Sequence, residues 1–245
     1  MNEWNEILKK LRITLDNQGI ESFHILEDLV PIEDQIAFFN YFDQLRSVNK
    51  SFVRDEEIAV LFSSDASIDR KKKSLTLLSS IPDVIAYRSI ETYQSSPLEP
   101  ELQNWSSIAL VASRIMLNSD LLGKQQVFIS SGLGGHDNKL RCYALFSGPN
   151  SEDFTDLQKQ IVEREFKFQL ETANVEIEKF EIKEYYFSIL MLFPYDVDVR
   201  SILQVAIEEI NKYGNFLDHK YLFTNTKVMS DVEIQRILMK KKEKE

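Results

Sequence analysis

Val127-Phe128-Ile129-Ser130-Ser131-Gly132-Leu133-Gly134-Gly135-His136-Asp137-Asn138-Lys139-Leu140-Arg141-Cys142-Tyr143-Ala144-Leu145-Phe146 is the stretch on which the fold turns. Three of the chain's seven glycines fall in its four-residue window 132–135. Glycine enters backbone conformations closed to other L-residues, so the window marks a bend between two apolar runs. Upstream of it the hydrophobic period is helical; downstream it becomes mixed.

Working downstream, Leu140 to Ser147 reads as a strand closed by Gly148-Pro149-Asn150. Thr155-Asp156-Leu157-Gln158 is a capping box, opening a helix that carries Leu157, Ile161, Val162, Phe166, Phe168 and Leu170. Residues 175–182 alternate as a half-exposed strand does. Tyr185 to Phe193 is a second apolar strand, stopped by Pro194. Asp196 is a candidate cap for a helix whose Val199, Ile202, Leu203, Ala206, Ile207 and Ile210 share one face, with Gly214 as its stop. A strand follows near Tyr221 to Val228, and Ser230-Asp231-Val232-Glu233 caps a terminal helix. Strand-helix-strand-strand-helix-strand is the split βαβ, or ferredoxin-like, order. The first and third strands are the most apolar, as central strands are; the second and fourth alternate, as edges do. A further strand at Gln126–Ser131 is expected to join this sheet through the glycine loop.

Working upstream, the chain is expected to be helical throughout. Trp4, Ile7, Leu8, Leu11 and Leu15 make one stripe, ending near Gly19. Pro31 suits the first turn of a helix bearing Ile32, Ile36, Phe39 and Phe42, flanked by Phe38, Tyr41 and Leu45. Residues 56–63 admit strand or helix; the acids Asp55-Glu56-Glu57 favour helix, because negative charge suits a helix N-terminus. Ile68, Leu75 and Leu78 form a third stripe, and Ala86, Ile90 and Tyr93 a fourth. Ser96-Pro97-Leu98-Glu99 then reads as the start of a helix carrying Leu102, Trp105, Ala109, Ala112 and Met116.

From Asp83-Val84-Ile85-Ala86-Tyr87-Arg88 to Leu102-Gln103-Asn104-Trp105-Ser106-Ser107-Ile108-Ala109-Leu110, short amphipathic helices alternate with turns. Over roughly residues 67–119 this resembles HEAT-type helical repeats, which implies stacked helix pairs presenting a protein-binding surface. The expected class is α+β: an all-helical half over 1–122, a ferredoxin-like domain over 123–239 with one extra strand, and a disordered tail over 240–245.

The net charge is −10, and residues 1–69 carry 14 acidic against 6 basic side chains. Such a field repels phosphate backbones, so no nucleic-acid partner is expected. The single cysteine, Cys142, cannot form an internal disulfide and reads as a small buried hydrophobe. No basic-then-apolar leader and no bilayer-length apolar run stands out, so the expected setting is cytoplasmic, with no membrane partner.

The glycine loop has two readings: a hairpin connection, or an anion cradle using Gly132, Gly134, Gly135, His136, Lys139 and Arg141. A strand rather than a helix follows it, which departs from phosphate-binding loops and favours the hairpin. His24, His136 and His219 are not at metal-ligand spacing, and no catalytic serine elbow occurs. Arg70-Lys71-Lys72-Lys73 and Asp55-Glu56-Glu57 read as solvated helix ends. The expectation is a non-enzymatic adaptor without metal, cofactor or catalytic residues. It would bind an unidentified protein, a second copy of itself included, through Phe38, Phe39, Tyr41 and Phe42. The alternative is an anionic-ligand sensor working through the 132–139 loop.

Overall fold

The computed structural model describes residues 23–47, 51–123, 127–129, 131–137, 139–149 and 152–242. The stripe from Trp4 to Leu15 and the last residues of the tail lie outside them. The chain divides into two units, Gly134 closing the first and Gly135 opening the second.

The first described element of the first unit is a short strand, β1 (Phe23–Ile25). Helix α1 (Ile32–Ser47) follows Pro31, with Glu33 and Asp34 in its first turn and Arg46 in its last, each sign suited to its end of the helix dipole. Its buried residues are Gln35, Phe38 and Phe42, whereas Ile36 lies 55% exposed. The ambiguous segment is helical: α2 (Arg54–Phe62) has three acids in its first turn. Ser67 caps α3 (Ile68–Ser79), and Asp83 caps α4 (Val84–Ser95), each accepting from the backbone of the third helical residue.

The next helix starts later than the Ser96 signal suggests. Pro100, not Pro97, takes the first-turn position, in a 3-10 turn (Pro100–Leu102) leading into α5 (Gln103–Leu122). Glu99 does not cap a helix, because its carboxylate is held by Lys71 and Tyr93. Gly123, at φ +59, ends α5 in the left-handed conformation that glycine tolerates best.

The helices do not stack as a solenoid. In such an array each repeat touches only its neighbours in sequence. Here α5 packs on α1, α3 and α4, and α2 packs on both α3 and α4. Phe38 and Trp105 meet edge-on at 5.1 Å, and Asn104 donates to Asp34 at 2.7 Å, joining α1 to α5 across 70 residues of sequence. Nor is this half all helical. β2 (Val127–Ile129), expected to extend the C-terminal sheet, pairs in parallel with β1 instead.

In the second unit, β3 (Gly135–His136) makes a tight hairpin with β4 (Lys139–Ser147). Helix α6 (Asp156–Thr172) opens with the complete Thr155–Gln158 capping box. Strands β5 (Glu176–Ile182) and β6 (Tyr186–Pro194) follow, then α7 (Val199–Asn211), β7 (Leu222–Thr224) and α8 (Asp231–Lys242). The cap of α7 is Asp198 rather than Asp196. Helix α8 runs through Lys240 and Lys241, where a disordered tail was expected.

The antiparallel order is β7–β4–β6–β5, with β3 sharing the β7 edge of β4. The two apolar strands are therefore central, and Cys142 pairs with Met191 between them, fully buried. Their alternate residues stack against α6: Phe146 on Phe187 at 4.7 Å, and Phe166 edge-on to Phe187 at 5.2 Å. Leu157 and Phe168, read as core, are more than 60% exposed, because α6 buries only the stripe 161, 162, 166 and 170. The class is α+β.

Candidate functional site

The glycine loop is packed rather than open. Gly134 sits at φ +63, and a side chain there would meet the carbonyl oxygen of Leu26 at 2.2 Å. Buried Gln35 donates to the carbonyls of Val30 and Ser131 at 2.9 and 3.0 Å, clamping the β1–α1 connection to the loop. Gly135 and His136 form β3, with the imidazole half exposed beside Asp137. The nearby cations are matched by carboxylates. Lys139 pairs with Glu176, and Arg141 donates to both oxygens of Glu178 at 2.6 and 2.8 Å. An anion at the loop would have to compete with these pairs.

The aromatic residues of α1 divide by depth. Phe38 is fully buried and Phe42 is 7% exposed, while Phe39 and Tyr41 pack against the core from its edge. They do not form a projecting patch. Phe39 and Phe42 instead wall a groove of about 650 Å³, completed by Ala112, Ile115, Met116 and Phe128. Phe39 and Phe128 rings meet at 5.0 Å, which holds β2 as the groove's far wall. Arg46, Ser119, Asp120 and Gly123 form its polar rim. The Arg46 guanidinium lies 5.7 Å from the Phe42 ring centre, a cation–π distance. Neither Arg46 nor Asp120 has an ion-pair partner among the described residues.

The basic run on α3 is not a solvated helix end. Lys71 is 0% exposed, and its ammonium lies 2.6 Å from Glu99 and 5.9 Å from the Tyr93 ring centre. The Tyr93 hydroxyl donates to the other Glu99 oxygen at 2.5 Å. Burial, then the Glu99 bond, pushes the Tyr93 phenol well above its usual range. Arg70 grips Glu57 with two bonds, and Ser74 donates to the same carboxylate at 2.7 Å. Burial opposes ionisation of Glu57, but Arg70 and Ser74 outweigh it and hold the carboxyl below its ordinary pKa. These groups are mutually satisfied. A smaller groove of about 390 Å³ has Glu57 and Lys73 in its lining, with Leu45, Phe52, Val53 and Leu77 as its apolar walls. Sequence pattern missed Lys71, although it stands four and seven residues before Leu75 and Leu78 on their buried stripe. Among the described residues no three His, Cys, Asp or Glu side chains converge as a metal site, and no helix is long and apolar enough to cross a membrane.

Two solved structures are similar to part of this chain. One is a provisionally assigned transposase from Deinococcus radiodurans R1, 13% identical, with a TM-score of 0.36 over 44% of this chain and 94% of its own. The other is a REP-associated tyrosine transposase bound to a REP hairpin, 7% identical, with a TM-score of 0.32 over 42% of this chain and 64% of its own. No family model and no curated protein sequence matches the chain. Both neighbours are transposases, which are enzymes, and neither is a helical-repeat adaptor. The resemblance to HEAT repeats, the adaptor and sensor roles, the expectation of no catalysis and the exclusion of nucleic acid are accordingly withdrawn. At these scores no activity passes from either protein to this one.

Proposed function

We propose that the helical unit binds a small molecule with an apolar body in the α1–α5–β2 groove. The observation that carries this reading is the groove itself. Ligand sites are typically concavities of about 300–1,000 Å³, mostly apolar, with a few polar groups at fixed positions. A groove of about 650 Å³, walled by Phe39, Phe42 and Met116 and rimmed by Arg46 and Asp120, matches that description in size and in chemistry. Its walls are rigid for a stated reason: Phe38 and Trp105 lock α1 to α5 directly behind it. A cytoplasmic setting belongs to the same reading, supported by the lone buried thiol of Cys142, whose ionisation burial strongly opposes.

The test is binding of anilinonaphthalene sulfonate, read by dye fluorescence, to the wild type and to Met116→Trp. Met116 is half-buried on the groove wall, so tryptophan there fills the space without entering the core. The expected result is saturable binding that weakens at least tenfold in the variant, with thermal stability unchanged. A DNA hairpin forms a second arm. Dye binding indifferent to Met116→Trp, or hairpin binding with no dye binding, overturns the proposal.

A further inference from the structure

The rim of the groove carries one charge of each sign, and this specifies the ligand further than its apolar walls do. Arg46 belongs to the last turn of α1, and Asp120 to the last turn of α5. Both line the groove, and among the described residues neither is neutralised by an ion pair. On α3, by contrast, Arg70 is paired with Glu57, Lys71 with Glu99, and Lys72 lies 4.9 Å from the Trp105 ring centre. The Asp120 end of the rim is negative twice over. Gly123 terminates α5 there, so the last carbonyls of a 20-residue helix add their partial charge to the carboxylate. That end suits an ammonium. Arg46 at the α1 end presents a planar, always-charged fork suited to a carboxylate, and it is already stacked on Phe42.

We infer that the groove takes a short apolar peptide with both termini free, its carboxylate held by Arg46 and its ammonium by Asp120 and the C-terminus of α5. The inference rests on the groove reading above. A volume of about 650 Å³ is large for a single amino acid and leaves room for apolar side chains against Phe39, Ile115 and Phe128.

The experiment displaces the bound dye with three peptides: trileucine, its N-acetyl form and its C-terminal amide. Wild type is expected to bind trileucine roughly tenfold more tightly than either blocked form, the scale of one charge-assisted hydrogen bond. Arg46→Gln should erase the gap between acid and amide while keeping that between free and acetylated amine. Asp120→Asn should do the reverse. Both residues are on the surface, so neither change threatens folding. Equal displacement by all three peptides, still sensitive to Met116→Trp, overturns the peptide inference and leaves the groove reading standing. Displacement indifferent to Met116→Trp removes both.

Discussion

Lys71 and Glu99 are partners of unequal depth, and that asymmetry makes a quantitative prediction. The lysine is 0% exposed, whereas the Glu99 side chain retains 22% of its exposure and also receives the Tyr93 hydroxyl. Glu99→Gln keeps the shape but leaves an ammonium buried against a neutral amide. Breaking a buried pair in that way costs roughly 3–5 kcal/mol. Lys71→Met leaves the opposite remnant, a carboxylate still bonded to Tyr93 and able to reach water, and it fills the lysine's apolar space. The cost should be about 1–2 kcal/mol, near that of one hydrogen bond to a charged group. The double variant removes the stranded ammonium and should resemble Lys71→Met, not the sum.

Trp105 reports on this unit from 9% exposure, and the only other tryptophan is Trp4, so the series belongs in a Trp4→Phe background. With a urea slope of about 2 kcal/mol per molar, Glu99→Gln should lower the midpoint by roughly 1.5–2.5 M, and Lys71→Met by about 0.5–1 M. The pH dependence adds a second readout. Burial works against the Glu99 carboxylate, but Lys71 and Tyr93 outweigh it and hold its pKa below the ordinary 4.5. A carboxyl lowered in the folded state stabilises above its unfolded pKa and loses that contribution as pH falls. Wild type should therefore shed stability below about pH 4.5, and Glu99→Gln should flatten that limb. Equal costs for the two single variants, or additivity in the double, would refute the assignment of the buried charge.

Gly134→Ala combines a left-handed φ of +63 with a Cβ 2.2 Å from a backbone oxygen, so the first unit should lose at least about 2 kcal/mol or fail to fold, judged by Trp105 fluorescence. Glu57→Gln should cost about 1–2 kcal/mol at pH 7, because Arg70 is 37% exposed and regains water, and the cost should shrink progressively as pH falls below about 4.5, read as converging urea midpoints. Phe187→Ala opens the second core beneath Phe146 and Phe166 and should cost roughly 3–5 kcal/mol, measured by near-ultraviolet circular dichroism melting, with Trp105 fluorescence little changed.

What could be read from sequence was whatever rested on local chemistry. The Thr155–Gln158 capping box, the Ala86–Ile90–Tyr93 stripe and the apolar strands around Cys142 and Leu190 each depend on residues a few positions apart. What escaped depended on distance. β1 is three residues long, too short to leave a pattern, and it exists because Val127–Ile129 lies beside it from a hundred residues away. The groove escaped for the same reason, since α1, α5 and β2 each supply part of a wall. Pro100 overrode the Ser96-Pro97 start because Glu99, which a capping role would need, is drawn off by Lys71. Lys71 itself was legible: it occupies the apolar stripe of α3, and a charge on a buried stripe calls for a partner.

The run Arg70-Lys71-Lys72-Lys73 explains how a bundle with modest apolar stripes keeps one arrangement. Consecutive helical positions point about 100° apart, since a turn takes 3.6 residues. A solvated run wastes that spread, but here it distributes contacts. Arg70 reaches Glu57 on α2, Lys71 reaches Glu99 beyond α4, and Lys72 lies over Trp105 on α5. Three successive side chains of one helix thus bind three different neighbours, and a different packing of those helices would strand at least one charge. Trp105 closes the chain of constraint, because its indole donates to Thr76 on α3 while its ring holds Phe38 on α1. The walls of the groove are therefore positioned from behind by α3, which does not itself line it. Lys72→Ala should on this argument weaken dye binding by loosening α5, while Lys73→Ala, which borders only the smaller groove, should not.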